Sequence, residues 1–406
     1  MERINDIIQR AKEIIKRIIA FLKRTINDRR FKRYAPLAIM VLVAILTLVT
    51  CVSGQIQKPQ PDPEPDPPDV IETSPEVSPP VETPDPTPDP DPEPDPVDTG
   101  FRNPLTGLPT EEDISNKRPM AIVINNHRQA NPQVGITSAD IIYEYLVEGT
   151  TRMLAIYQDV SDVGVIGSVR SARHYTVDLA QSYDSIFIFA GYSPQANTVI
   201  KNRKIDHFDE VHGVGPEMYY RDSARRASMG SEHSLMTSGS KIMEHLPKYD
   251  LREEHDEGYE CALSFSEDGT PEGGEKALEF TVRFGGEGKT TGFSYNDETR
   301  LYDLRQYGNA YIDGGNRQQV SVTNVLILKM AIAGIPGDTE GRLNITTMGT
   351  GEGYYACGGE YVEIQWSREN ESAQFRYTLK DGSELVLGQG KTFICLIRTT
   401  GTVDFA

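Results

Sequence analysis

Met120-Ala-Ile-Val-Ile-Asn125, Ala139-Asp-Ile-Ile-Tyr-Glu-Tyr-Leu-Val147 and Met153-Leu-Ala-Ile-Tyr157 are apolar runs set close together in the chain. Runs this short, rich in β-branched and aromatic residues, read as buried strands. Tyr175 to Tyr183 has helical spacing, and Ser185-Ile-Phe-Ile-Phe-Ala190 is again strand-like. Strands interleaved with helix predict an α/β domain over residues 101–260. From about Asp297 the pattern turns β-rich, with strand candidates at Val320–Met330, Gly359–Trp366 and Phe393–Ile397 and a hairpin-type turn at Asp381-Gly382. A smaller β-rich domain is therefore expected over 293–406, joined to the first by a Gly- and Glu-rich connection, 261–292. Domains typically hold about 100–200 residues, so this part of the chain is long enough for two, each with its own core.

Working outward, the N-terminal third is organised by charge. The chain carries a formal charge of -19. Residues 1–34 hold eleven Lys/Arg and four Asp/Glu, giving +7, and residues 55–100 hold thirteen Asp/Glu against Lys58, giving -12. The remainder is thus -14 (-19 - 7 + 12) and falls in 101–406. An acidic head argues against nucleic acid as a partner, because phosphate binding needs concentrated Lys and Arg.

No charged residue stands between Arg33 and Lys58, and Ala35 to Val52 is strongly apolar. That length meets the roughly 20 residues a helix needs to cross the hydrocarbon core. With Arg29-Arg30-Phe31-Lys32-Arg33 before it and acid after it, the reading is one transmembrane helix over 35–54, N-terminus in the cytoplasm and head outside. Leu48-Val-Thr-Cys51 also resembles a bacterial lipobox, so lipid anchoring at Cys51 is the alternative. Within 1–34, Ile4, Ile8, Ala11, Ile15, Ile18 and Leu22 recur at helical spacing among basic residues, which describes an amphipathic helix on the inner membrane face. Sixteen prolines among residues 55–100, alternating with acids, predict a disordered but stiff spacer near polyproline II. At about 3.1 Å per residue it would reach roughly 140 Å.

The four cysteines, Cys51, Cys261, Cys357 and Cys395, show no C-x-x-C spacing, so neither zinc nor a thioredoxin-like motif is supported. The seven histidines show no ligand spacing beyond a weak hint at His207 and His212 with Asp206 and Asp209. No dinucleotide or P-loop motif occurs, and no cofactor or metal is expected.

The head resembles the YerB-like lipoprotein family, known as domain of unknown function 3048. The resemblance rests on Asn103-Pro-Leu-Thr-Gly-Leu-Pro109, Arg118-Pro-Met-Ala-Ile-Val-Ile-Asn-Asn126, Ala139-Asp-Ile-Ile-Tyr-Glu144, Val147-Glu-Gly149, Ile166-Gly-Ser-Val-Arg-Ser-Ala-Arg173 and Gly191-Tyr-Ser-Pro-Gln-Ala196. Asp338-Thr-Glu-Gly-Arg342, Gly349-Thr-Gly351 and Trp366-Ser-Arg368 resemble the family's C-terminal domain. The chain departs from the family at Ser168, where proline is usual, and at Ser234, where asparagine often follows the histidine. The resemblance implies a bacterial envelope protein and no settled activity.

Arg170 and Arg173 flank Ser171-Ala172 in a turn leading into the expected helix. Two guanidiniums beside a helix N-terminus suit an anion, since Arg offers paired donors. The competing reading is internal pairing with Glu144, Glu148 or Asp178. Glu144 and Glu148, with Arg152 four residues further on, are the candidate general acid and base for glycan cleavage. Residues four apart on a strand share a face but are well separated, so the same acids can be merely structural. His127, His233 and Arg221 are further candidates for a binding pocket. The leading functional expectation is a membrane-tethered, extracytoplasmic envelope protein that binds or scaffolds an anionic cell-wall component. A peptidoglycan- or glycan-acting hydrolase or lyase, and a partner of the wall-synthesis machinery, are the alternatives.

Overall fold

The computed structural model describes residues 99–285 and 288–406. The expected amphipathic segment, membrane span and almost all of the spacer lie outside these residues, as does Cys51. Among the described residues no helix is long and apolar enough to cross a membrane.

The runs that opened the chain form β1 (Met120–Asn125), β2 (Ile141–Val147) and β3 (Thr150–Tyr157). Every residue of β1 and β2 is buried, and so is β3 after Thr150. Continuous burial requires cover on both faces, and this sheet has it. On one face helix α1 (His174–Ser182) packs Tyr175 edge-on against Tyr145, with ring centroids 5.6 Å apart. On the other lies a second, antiparallel sheet, whose central members are Glu279–Arg283, Thr290–Asn296 and Leu301–Gln306.

The main sheet is mixed and continues through β4 (Ile186–Phe189), β5 (His207–Asp209), β6 (Asn324–Met330), β7 (Gly349–Cys357), β8 (Glu360–Arg368) and β9 (Thr392–Arg398). Its order is β8-β7-β6-β9-β2-β3-β1-β4-β5, with short strands Glu275–Lys276 and Arg376–Leu379 added at β8. β9 pairs in parallel with β2 through Ile141↔Thr392 to Tyr145↔Leu396, and with β6 on its other side. The two segments expected as separate domains therefore share one sheet, seamed at β2 and β9. The expected α/β domain is also poorer in helix than strand–helix alternation suggests. Beyond α1, its helices are α2 (Pro194–Arg203), α3 (Ser223–Met229) and α4 (Gly239–His245). The C-terminal part is β-rich, as expected. Cys261, Cys357 and Cys395 are free thiols.

Strands β1, β2, β4 and β5 all run the same way, with β3 antiparallel between β1 and β2. Their carboxyl ends define one edge. There β1 and β4 pair only as far as Ile122↔Ile188, and the segment Ser168–Ala172 wedges between them. Asn125 N–H donates to Ser168 O at 2.9 Å and Arg170 N–H to Val123 O at 2.9 Å on one side. Ala190 N–H donates to Arg170 O at 3.0 Å and Ala172 N–H to Gly191 O at 2.9 Å on the other. A place where parallel strands part at their carboxyl ends is where open α/β sheets commonly receive ligands.

Candidate functional site

The wedge carries Arg170, Ser171 and Arg173 to this edge. Arg173 is the N-cap residue of α1, and its guanidinium grips Glu148 through Nε and Nη2, both at 2.7 Å. Burial alone would raise the Glu148 carboxyl, but Arg173 and then Arg152 carry it below the usual carboxylate range. Arg152, opposite both Asn125 and Tyr145 in the sheet register, donates from Nη1 to Ser171 O at 2.7 Å. Burial, and then the charges of Arg173 and Arg170, pull it down to about 10. For Arg173, internal pairing with Glu148 is the arrangement found.

Arg170 differs. Its Nη1 donates to Glu232 O at 2.9 Å and meets Glu232 Oε2 at 3.3 Å. Its Nε is buried without a hydrogen-bond partner. A buried donor left unmade costs about 1–3 kcal/mol, so an Arg edge left this way calls for an acceptor.

His127 and His233 stack beside it, ring centroids 5.3 Å apart and planes 11° from parallel. Their hydrogen bonds assign the tautomers. Asn125 Oδ1 accepts the His127 backbone N–H at 3.0 Å, which turns Asn125 Nδ2 toward His233 Nδ1 at 2.9 Å. His127 Nδ1 accepts the Gln129 N–H at 3.2 Å. Both neutral imidazoles thus carry their proton on Nε2. Burial first, then the positive charge of Arg170, His127 and Arg225, outweighs Glu232 and lowers the His233 pKa. Arg225 clamps the surrounding loops, donating to His233 O at 3.1 Å, Pro132 O at 2.9 Å and Ala130 O at 2.6 Å. Arg221 is exposed and braces the same loop, donating to Ser231 O at 2.8 Å.

The two candidate catalytic carboxylates do not converge. Glu144 is fully buried and faces the second sheet, where Lys289 Nζ lies 2.9 Å from Oε1. Asn126, Thr151 and Thr291 also donate to it, at 2.8, 2.7 and 2.6 Å. Glu148 sits with the arginines, on the α1 face. The two acids part because β2 ends at Val147, so Glu148 leaves the pleat that fixes Glu144, which is in register with Met153 while the neighbouring Tyr145 faces Arg152. A saturated, buried Glu144 has no room to exchange a proton with substrate.

An arrangement the spacing did not disclose lies nearby. Asp209, fully buried at the end of β5, accepts the Gly191 N–H at 2.6 Å and the Val211 N–H at 3.1 Å through Oδ1. Its Oδ2 holds His212 Nδ1 at 2.6 Å, and the imidazole lies flat on Tyr192, 3.9 Å away and 3° from parallel. The ring is fixed, with Nε2 facing away from the acid. His207 instead stacks on Phe189, and Asp206 is taken by Arg118, so of the four residues of the weak metal hint only Asp209 and His212 meet. Among the described residues no group of three or more His, Cys, Asp or Glu is placed to hold a metal. Sequence reasoning also passed over Glu232, an unremarkable loop acid 62 residues from Arg170, for which no local signal exists.

Two family descriptions match the chain: the N-terminal domain of a protein of unknown function, DUF3048, over residues 105–252, and its C-terminal domain over 280–394. This chain belongs to the DUF3048 family. It is 30% identical over 299 residues to YerB of Bacillus subtilis (strain 168), which its name describes as a presumed lipoprotein, spanning 72% of this chain and 85% of that one. The crystal structure of YerB from Bacillus subtilis superposes with a TM-score of 0.64 at 27% identity, covering 75% of this chain and 99% of the other. The YerB-like resemblance read from the motifs is therefore correct.

Proposed function

We propose that this protein is a membrane-attached, extracytoplasmic component of the bacterial envelope that binds an anionic wall ligand at the carboxyl edge of its main sheet. Arg170 is the receiving group. The observation that carries this reading is its buried Nε, left without a partner beside two imidazoles that each present an Nε2–H. Arg152 and Arg173 keep the surroundings positive within an otherwise acidic head, and Glu148 holds Arg173 in place. Attachment is supported by the lipoprotein name of the relative and by the apolar, uncharged stretch before the proline-rich tract. A tethered binder gains effective concentration at its target.

The test is retention of the full-length protein on isolated cell-wall sacculi. Arg170→Gln is expected to lose retention, and retention unchanged by that substitution would overturn the reading. A second reading, hydrolysis, is favoured by His212 and Asp209, which have the orientation of a general base and the acid that positions it. Soluble fragments released by wild type, but not by His212→Gln, would establish it.

A further inference from the structure

The Glu232 side chain occupies the space between the groups that would bind the ligand. Its Oε2 is 3.3 Å from Arg170 Nη1 and its Oε1 is 3.8 Å from His233 Nε2. Both separations exceed those of good charge-assisted hydrogen bonds, about 2.7–2.9 Å. The Glu232 side chain is 66% exposed, and its loop is anchored by backbone contacts rather than by the carboxylate: Arg170 Nη1 to Glu232 O, Arg221 to Ser231 O and Arg225 to His233 O. Removing the carboxylate from its position would leave the loop held.

We propose that the Glu232 carboxylate is a displaceable stand-in for the ligand, and that the ligand group which replaces it is a phosphoryl anion. A planar carboxylate with two oxygens meets the available donors only loosely. Those donors are the unpartnered Nε of Arg170 and the Nε2–H groups of His127 and His233, three donors against the carboxylate's two oxygens. A tetrahedral group with three or more acceptor oxygens can satisfy them together, and its greater charge favours it over the glutamate. This inference rests on the reading of Arg170 as the receiving group and adds the ligand class and the competing side chain.

The test is calorimetric titration of the full-length protein with inorganic phosphate, with acetate as the control anion. An exposed ion pair in this geometry is worth about 0.4–1 kcal/mol, so Glu232→Gln is expected to tighten phosphate binding about two- to fivefold without lowering Tm. Arg170→Gln is expected to abolish binding. Affinity unchanged or weakened in Glu232→Gln, or acetate binding as tightly as phosphate, would overturn the proposal. If no variant binds phosphate while retention on sacculi still depends on Arg170, the phosphoryl stand-in is wrong and the anion-site reading survives. If retention ignores Arg170 as well, both fall. Lipid-free sacculi and micelles doped with phosphatidylglycerol, each competed with phosphate, separate a wall polymer from a lipid headgroup as the source.

Discussion

Glu144 on β2 and Lys289, just before the second-sheet strand Thr290–Asn296, form an ion pair 2.9 Å long, with side chains 0% and 3% exposed. The pair joins the two sheets at their interface. Lys289 Nζ also donates to Thr291 Oγ1 at 2.9 Å and to Gln306 Oε1, and Glu144 takes donors from both sides of the interface. Desolvation can cancel the attraction of a buried pair, but a lone buried charge is strongly unfavourable. Lys289→Met is therefore expected to destabilise the fold by about 3–5 kcal/mol in urea unfolding. The double variant Lys289→Met/Glu144→Leu should lose less than the sum of the two single changes. It will not recover fully, because Asn126, Thr151 and Thr291 would be left with unmet donors. Additive losses would show that the pair is not coupled.

Arg170 and Arg173, three residues apart, should behave oppositely. Arg173→Gln breaks a two-pronged, largely buried pair and leaves Glu148 facing Arg152 alone, with an expected loss of about 2 kcal/mol in thermal unfolding. Arg170→Gln removes one bond to the Glu232 backbone carbonyl at 2.9 Å and a 3.3 Å contact to its exposed carboxylate, and is expected to cost about 1 kcal/mol or less. Its effect belongs to sacculus retention. A large stability loss in Arg170→Gln would mark it as a structural residue.

Asp140 gives the stability a pH signature. Burial pushes its carboxyl up to about 6 from 3.8, against the opposing hydrogen bond of Gln158 and the charge of Lys391. Between about 3.8 and about 6 the folded chain therefore holds more protons here than the unfolded one. This group's contribution is fully present below about 3.8 and is lost as pH rises through about 6. Unfolding free energies measured from pH 4 to pH 7 should show that loss. Asp140→Asn should flatten it, whatever the change in absolute stability. An unchanged slope would show that the Asp140 carboxyl ionises in its ordinary range.

His212 is expected to react with diethyl pyrocarbonate at Nε2 faster than the buried His233, as read by mass spectrometry of the modified peptides. Asp209→Asn should release the ring from its fixed orientation and change that rate. It should also weaken the Gly191 turn, since the acid accepts the Gly191 N–H at 2.6 Å. Equal reactivity of the two histidines would remove the geometric support for the hydrolytic reading.

Local pattern disclosed much of the scaffold. The apolar run at Met120–Asn125, and Ile141–Val147 within the run Ala139–Val147, became fully buried strands, and Tyr175–Tyr183 became most of α1. The Gly382 turn forms with φ +87, and its N–H donates to Leu379 O at 3.0 Å. Of the candidate site residues, Arg152, Arg170, Ser171 and Arg173 come together with Glu148, while His127 and His233 stack. Glu144 lies on the opposite face from Arg152, because it pairs with Met153 and strand side chains alternate. Four residues of spacing put Glu144 and Glu148 on one face only if the strand continues, and it ends at Val147.

The sequence alone determined what short-range physics can: the sign of charge in each segment, the runs that had to be buried, the helix start after Arg173 and the family. Tertiary structure alone decided the pairings. It placed Thr392–Arg398 between Asn324–Met330 and Ile141–Val147, gave Glu144 its lysine from 145 residues away, and set Glu232 against Arg170 across 62 residues. Periodicity reports only whether a residue faces apolar surroundings or water. Which surface supplies those surroundings depends on packing across the whole chain, and a buried acid looks the same in sequence whether its partner is a substrate or a lysine of the opposing sheet.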